Sequence, residues 1–221
     1  NKEEWDMTPP TVNADYRPSL NTINFPAGIL QPAFYDKTAS DATNLGHIGG
    51  IVGHELTHGF DDEGRKFDAQ GNLKDWWTAD DAKRFEQRTD CLVNEYNGFV
   101  AVDDLHVNGK LTLGENTADN GGLRLAWMAL LADAAGKHTL LNQKTAIGYT
   151  PKQEFFLGWG QNWCSTERPK MQRMLVRVDP HSPDHIRANG VVVNMPEFGQ
   201  AFGCKTGQAM APPPEKMCRV W

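Results

Sequence analysis

The sequence predicts a predominantly α-helical fold with a small β component, an α+β class. Apolar residues recur at helical spacing in four stretches between positions 42 and 163, whereas residues 1–40 are rich in Pro, Asn and Thr and alternate only briefly. Of 221 residues, 39% are hydrophobic and 10% aromatic, enough to bury a core and too many for a disordered chain. That length suits one domain over 1–221. Lys and Arg total 22 against 28 for Asp and Glu, a net charge of −6, so nothing resembles a basic footprint for nucleic acid. The longest apolar run, Leu125 to Ala132, is eight residues. A membrane span takes about 20, so none is expected within the chain.

Each element has its own signal. Thr22-Ile23-Asn24-Phe25, set among Pro18, Pro26 and Pro32, reads as strand and turn. Leu45, Ile48, Val52 and Leu56 mark a helix over 42–60 with Gly59 near its end. Gln70-Gly71-Asn72 marks a loop across 64–77. Thr78, with Asp81 three residues on, resembles a capping box, and Ala82, Phe85, Thr89, Leu92, Tyr96 and Phe99 form the stripe of the next helix, with Cys91 beside it. Another helix spans 116–135, with Leu123, Trp127, Leu130 and Ala134 on one face and Gly136 as terminator. Thr150-Pro151 and Gln153 open a further helix on which Phe156, Trp159 and Trp163 share a face. The 178–195 stretch reads as turns around Pro180, Pro183 and Gly190, with Val191–Val193 as one short strand, and Pro212–Pro214 as a stiff connector.

The chemistry starts at His54-Glu55-Leu56-Thr57-His58, an H-E-x-x-H pattern on a predicted helix. Residues i and i+4 share a helix face, so both imidazoles converge on one cation while Glu55 flanks an open coordination position. Chance placement of this chain's 7 His and 11 Glu yields the pattern in roughly 1% of shuffled sequences. Zinc lowers the pKa of a bound water towards about 7, and a neighbouring carboxylate takes its proton as it attacks a carbonyl. His47 lies on the same stripe but about 10.5 Å along the axis, too far to share the metal. The metzincin extension fails, since Asp61 and Gly64 stand where its glycine and last histidine belong. Among the downstream carboxylates Glu63, Glu86, Glu95 and Glu115, the third ligand falls to Glu115. It opens a helix with Asp119 one turn on and Gly121-Gly122 permitting close approach of another helix. Asp119, and Asp62 four residues after His58, are placed to accept from the other ring nitrogens of the ligand histidines.

H-E-L-T-H-G-F-D-D-E-G-R at 54–65, E-N-T-A-D-N-G-G-L at 115–123, V-N-A at 12–14 and C-R-V-W at 218–221 together resemble the neprilysin family of zinc metallopeptidases, over essentially the whole chain. The resemblance implies a zincin-like catalytic domain built on the H-E-x-x-H helix, the C-terminal part of a longer parent whose upstream helical segment is a partner absent here. It implies one Zn²⁺ per chain held by His54, His58 and Glu115, Glu55 as base, and Asp62 and Asp119 orienting the ligands. It further implies that His181 and Arg187 stabilise the oxyanion and hold a substrate carbonyl, and that Asn13 and Ala14 bond an extended peptide. Ile29, Phe34, Ile51 and Trp163 fall where the family forms its apolar pocket for the residue after the scissile bond. The family usually has an aromatic where Asp15 stands, and a larger apolar residue where Gly50 stands, which implies a roomier pocket able to take bulky aromatic side chains.

The same resemblance pairs Cys91 with Cys218 and matches Cys164 and Cys204 to residues bonded to cysteines upstream. Disulfides place the working protein outside the cytoplasm, in an extracellular or periplasmic space, as a bacterial secreted protein or an animal ectodomain. The function expected is a zinc endopeptidase cutting on the amino side of apolar residues. The alternatives are a zinc-stabilised binding module and a catalytically incomplete fragment that needs the upstream segment.

Overall fold

The computed structural model describes residues 1–221. Eight helices carry the fold, with strands confined to two antiparallel pairs, β1 (Asp15–Arg17) with β2 (Thr22–Asn24), and β3 (Val100–Val102) with β4 (Leu105–His106). β1 and β2 come from the Pro-, Asn- and Thr-rich start, in register Asp15 to Asn24 and Arg17 to Thr22.

The predicted 42–60 helix is two helices, α1 (Asp41–Asn44) and α2 (Gly50–His58), joined by a π-helical turn at Leu45–Gly49. A π turn adds a residue to the winding and rotates the downstream helix about its axis. Leu45 and Ile48 therefore pack on the core while Leu56, expected in the same stripe, is 48% exposed. The rotation leaves His54 and Glu55 buried. Thr78 caps α3 (Ala79–Asn97), its side chain accepting from the Asp81 N–H, and Phe85, Thr89, Leu92 and Tyr96 are buried as the stripe predicts.

α4 (Leu113–Lys137) starts three residues before the predicted helix and runs through Gly136, which sits in open space, to a left-handed His138 at φ 56°. Thr150 and Gln153 make a reciprocal capping box at the start of α5 (Pro151–Asn162). Residues 178–195 depart most from expectation. α6 (Pro169–Val178) and α7 (Asp184–Val192) are helical, so Val191 and Val192 belong to a helix and not to a strand. Pro183 stands just before the start of α7, where a missing N–H costs nothing, and so opens a helix in a stretch expected to be turns, as Pro169 opens α6 upstream of it. α8 (Pro196–Phe202) obeys the same rule.

α2 and α4 meet backbone to backbone where Gly53 crosses Gly122. A Cβ on Gly53 would stand 2.3 Å from the Gly122 carbonyl oxygen, and one on Gly122 would stand 2.3 Å from His54 N. One core gathers Ile51, Leu123, Trp127, Leu130, Phe155, Phe156 and Trp159, and a second gathers Phe85, Leu92, Tyr96, Ile186 and Val220. Cys91 and Cys218 are disulfide-bonded, tying α3 to the C-terminal tail across 127 residues. A crosslink closing so long a loop stabilises by about 2–5 kcal/mol. No helix is long and apolar enough to cross a membrane.

Candidate metal centre and catalytic cleft

α2 and α4 bring three donors together. His54 Nε2 lies 2.9 Å from His58 Nε2, and Glu115 Oε2 lies 3.3 and 3.6 Å from those two nitrogens. Ligands on a tetrahedral zinc with bonds of about 2.0–2.1 Å stand about 3.3 Å apart, so the spacing suits one zinc ion. Glu115 Oε2 is also buried with no hydrogen bond in the protein, although His181 Nε2 stands 3.2 Å away. An acceptor surrounded by imidazole nitrogens and left without a donor hydrogen fits a cation between them. Two neutral nitrogens, one carboxylate oxygen and no thiolate make a donor set that leaves a fourth position open. Burial alone would raise the Glu115 carboxyl, but His181, His54 and His58 hold it well below the ordinary range. His47, buried elsewhere, has its Nε2 2.9 Å from Gln161 Oε1.

Each of the two histidines is held from behind. His54 Nδ1 donates to Asp119 Oδ1 at 2.8 Å. Asp119 in turn accepts from Arg187 Nε and Nη2, both at 2.8 Å. His58 Nδ1 donates at 2.6 Å to Asp61 Oδ2 and not to Asp62. The i+4 expectation requires the helix to continue, but α2 ends at His58 and the chain turns, so the residue three on comes back to the ring. Asp61 is fixed there because its Oδ1 accepts from the N–H groups of Glu63 and Gly64 at 2.9 and 2.6 Å. Asp62 Oδ1 is buried without a partner, and burial next to Asp61 raises its carboxyl. Burial would lower the His58 imidazole, yet the bond to Asp61 and the nearby Glu115 carboxylate raise it to about 10.

One cleft of about 360 Å³ is lined by Asn13, Ala14, Ile29, Phe34, Ile51, His54, Glu55, His58, Glu115, Trp163, His181 and Arg187. The structure thus brings all the candidate ligand, catalytic and substrate residues to one place, with Asp119 behind them. Glu55 is 5% exposed, with a carboxylate oxygen within 4.8 Å of both ligand imidazoles. Burial raises its carboxyl against the pull of His54 and His58. His181 is steered by Asp179, whose Oδ1 accepts at 2.8 Å from both its backbone N–H and its Nδ1. Ser182 donates to Asn116 Oδ1 at 2.7 Å, fastening this loop to α4.

Sequence reasoning missed Asp61, Asp179 and the wall residues Val12, Tyr16 and Glu63. Only the breakdown of helical spacing after Gly59 pointed to the first. The roomier pocket implied at Gly50 is not present there. A Cβ on Gly50 would meet Trp159 Cε3 and Cζ3 at 2.9 and 3.0 Å, so that volume is filled by a buried indole. Cys164 and Cys204 are free thiols, the first exposed.

Residues 13–218 match the model of peptidase family M13. The chain is 45% identical over 221 residues to endothelin-converting enzyme 1 of Rattus norvegicus and 44% identical over 225 residues to neprilysin-1 of Caenorhabditis elegans. All of this chain is covered, with 28% and 29% of those proteins. Its fold superposes on the Mycobacterium tuberculosis zinc metalloprotease Zmp1 in complex with inhibitor, at a TM-score of 0.93 and 43% identity, covering 100% of this chain and 34% of that one. PepO from Lactobacillus rhamnosis gives 0.87 and 35%, covering 98% and 32%. The chain spans less than a third of the length of the curated relatives it matches. With the family model spanning nearly all of it, the chain belongs to peptidase family M13, the neprilysin family.

Proposed function

We propose that residues 1–221 form the catalytic unit of a zinc-dependent endopeptidase that binds one zinc ion at His54, His58 and Glu115. The observation that carries this reading is the buried, donor-less Glu115 Oε2 facing two imidazole nitrogens at 3.3 and 3.6 Å, with Glu55 beside them. Zinc, when bound there, supplies Lewis acidity that polarises a peptide carbonyl and acidifies the attacking water.

The chain's own residues do the rest. Glu55 takes the proton of the attacking water and passes it to the leaving amine, and its burial favours holding the proton between those two events. Arg187 spends Nε and Nη2 on Asp119, which leaves Nη1 to donate to a substrate carbonyl in the cleft. His181, aimed by Asp179, donates to the developing oxyanion from a position beside Glu115. One such donor contributes about 2.7–4 kcal/mol. Asn13 and Ala14, just before β1, offer edge hydrogen bonds to an extended peptide. Ile29, Phe34, Ile51 and Trp163 take the apolar side chain on the carboxyl side of the scissile bond.

Peptides are the substrates of this reading, and the relatives' much greater length supplies its other partner, a further segment of a longer parent chain. The Cys91–Cys218 disulfide supports an extracellular or periplasmic setting. Glu55→Gln tests the mechanism directly. The variant should retain one zinc per chain by metal analysis while kcat on a quenched peptide drops by about 10²–10⁴. Equal turnover by the two proteins would remove Glu55 from the reaction.

A further inference from the structure

Behind the apolar end of the cleft lies a tryptophan that no substrate reaches. Trp159 is fully buried and forms no part of the cleft wall. Its indole fills the volume that any side chain at position 50 would take, since a Cβ there would stand 2.9 Å from Trp159 Cε3 and 3.8 Å from Leu123 Cδ1. From this seat Trp159 reaches two residues that do line the cleft. Its ring meets Trp163 edge to face, centroids 5.1 Å apart at 70°. Its indole N–H donates to the Arg187 carbonyl at 3.3 Å. Trp163 closes the loop, because the Arg187 guanidinium carbon sits 3.9 Å from its ring centroid.

We propose that Trp159 is a positioning residue for substrate side-chain recognition. Seated in the space that Gly50 leaves, it props Trp163 and, through that ring and the Arg187 carbonyl, sets the size of the apolar end and the place of the guanidinium above it. A close-packed interior transmits displacement because it has no voids to absorb it. An indole has only two side-chain torsions and keeps its orientation once walled in. A shift of about 1 Å in a substrate-positioning group is enough to change turnover about a hundredfold. A mere core filler would lower the fraction of folded protein and affect every ligand alike.

This inference rests on the peptidase reading for the identity of the cleft, and its test does not depend on turnover. The full chain is loaded with zinc, and calorimetry gives Kd for two dipeptide hydroxamates that differ only in carrying a Phe or an Ala side chain. Wild type should prefer the Phe probe. Trp159→Phe, which removes the prop, should shrink that preference by about tenfold, the range of a methylene-sized change in an apolar pocket. Gly50→Ala, which drives the indole into Trp163, should act similarly. The double variant, in which the new methyl fills what the smaller ring vacates, should recover to within about threefold of wild type. Should Gly50→Ala fail to fold, Trp159→Phe and the double variant decide. A Phe-to-Ala ratio that stays within about twofold of wild type while only Tm falls overturns the proposal, as does a wild type without preference. Peptide cleavage by the same samples is scored separately. Probe discrimination with no cleavage of any peptide would count against the peptidase reading and leave the role of Trp159 standing.

Discussion

Asp119 on α4 and Glu95 on α3 are both withdrawn from water, yet one is built to stay ionised and the other is not. Asp119 is 1% exposed, and burial alone would push its carboxyl up; the Arg187 charge, two Arg187 hydrogen bonds and His54 bring it down to about 2. Glu95 has one resolved partner, an Asn194 amide donating at 2.8 Å, and burial pushes it up to about 7. The more deeply buried carboxyl of the two is thus the one that stays ionised, and what separates them is the charge of the partner. In the proposed reading the carboxylate that holds His54 is kept anionic by the same cation that would meet a substrate carbonyl, so histidine orientation and carbonyl binding would share one buried ion pair.

The strongest way to break this comparison is Asp119→Ala. It leaves Arg187 buried and charged without its partner, so unfolding free energy should fall by about 3–5 kcal/mol in urea titrations of the zinc-free protein. A loss below about 1 kcal/mol would mean that water or a rearranged side chain takes over the pair. Glu95→Gln should act in the opposite direction. Because the folded carboxyl titrates near 7 and the unfolded one near 4.5, the folded state holds the proton more tightly between those values. Stability is therefore greatest below the lower value and declines as pH rises through the upper one. Glutamine keeps the Asn194 bond without the charge, so the variant should gain about 2 kcal/mol at pH 8 and almost nothing at pH 5. Equal Tm shifts at the two pH values would show that Glu95 is hydrated in the folded protein. The smallest effect concerns the other ligand histidine. Asp61→Asn should weaken zinc affinity by about tenfold in a competition titration with a chelator, while Asp62→Asn leaves it within about twofold. The reverse order would return the role to Asp62.

Much of the site is legible in the sequence because its chemistry is periodic or contiguous. His54 and His58 share a helix face by spacing alone, and Glu115 is reached by asking which carboxylate could arrive on a second helix that glycines allow close. His181 and Arg187 carry no local signal. They matter through contacts 66 and 68 residues away, Ser182 to Asn116 and Arg187 to Asp119, which only folding creates. Asp62 stands in for Asp61 in the sequence reading for a smaller reason, since one residue of helix termination exchanges the two. The fold shows the same division. Capped α3 and α5 are readable from Thr78 and Thr150 with their partners. α6 goes unread although Met171, Met174, Leu175 and Val178 recur at helical spacing, and that apolar stripe buries no residue.

The crossing of Gly53 and Gly122 means that the distance between the two helices bearing the ligands is set by hydrogen atoms. Metal–ligand bonds tolerate only about 0.2 Å of error, whereas a methyl wedge at either glycine would spread the helix backbones by on the order of 1 Å. The bore of the coordination site is therefore written in two positions that touch neither metal nor substrate. A side chain at either glycine would meet backbone, which does not yield as a flexible side chain does, so a change there would disturb the packing of the two helices and the spacing of His54, His58 and Glu115 together.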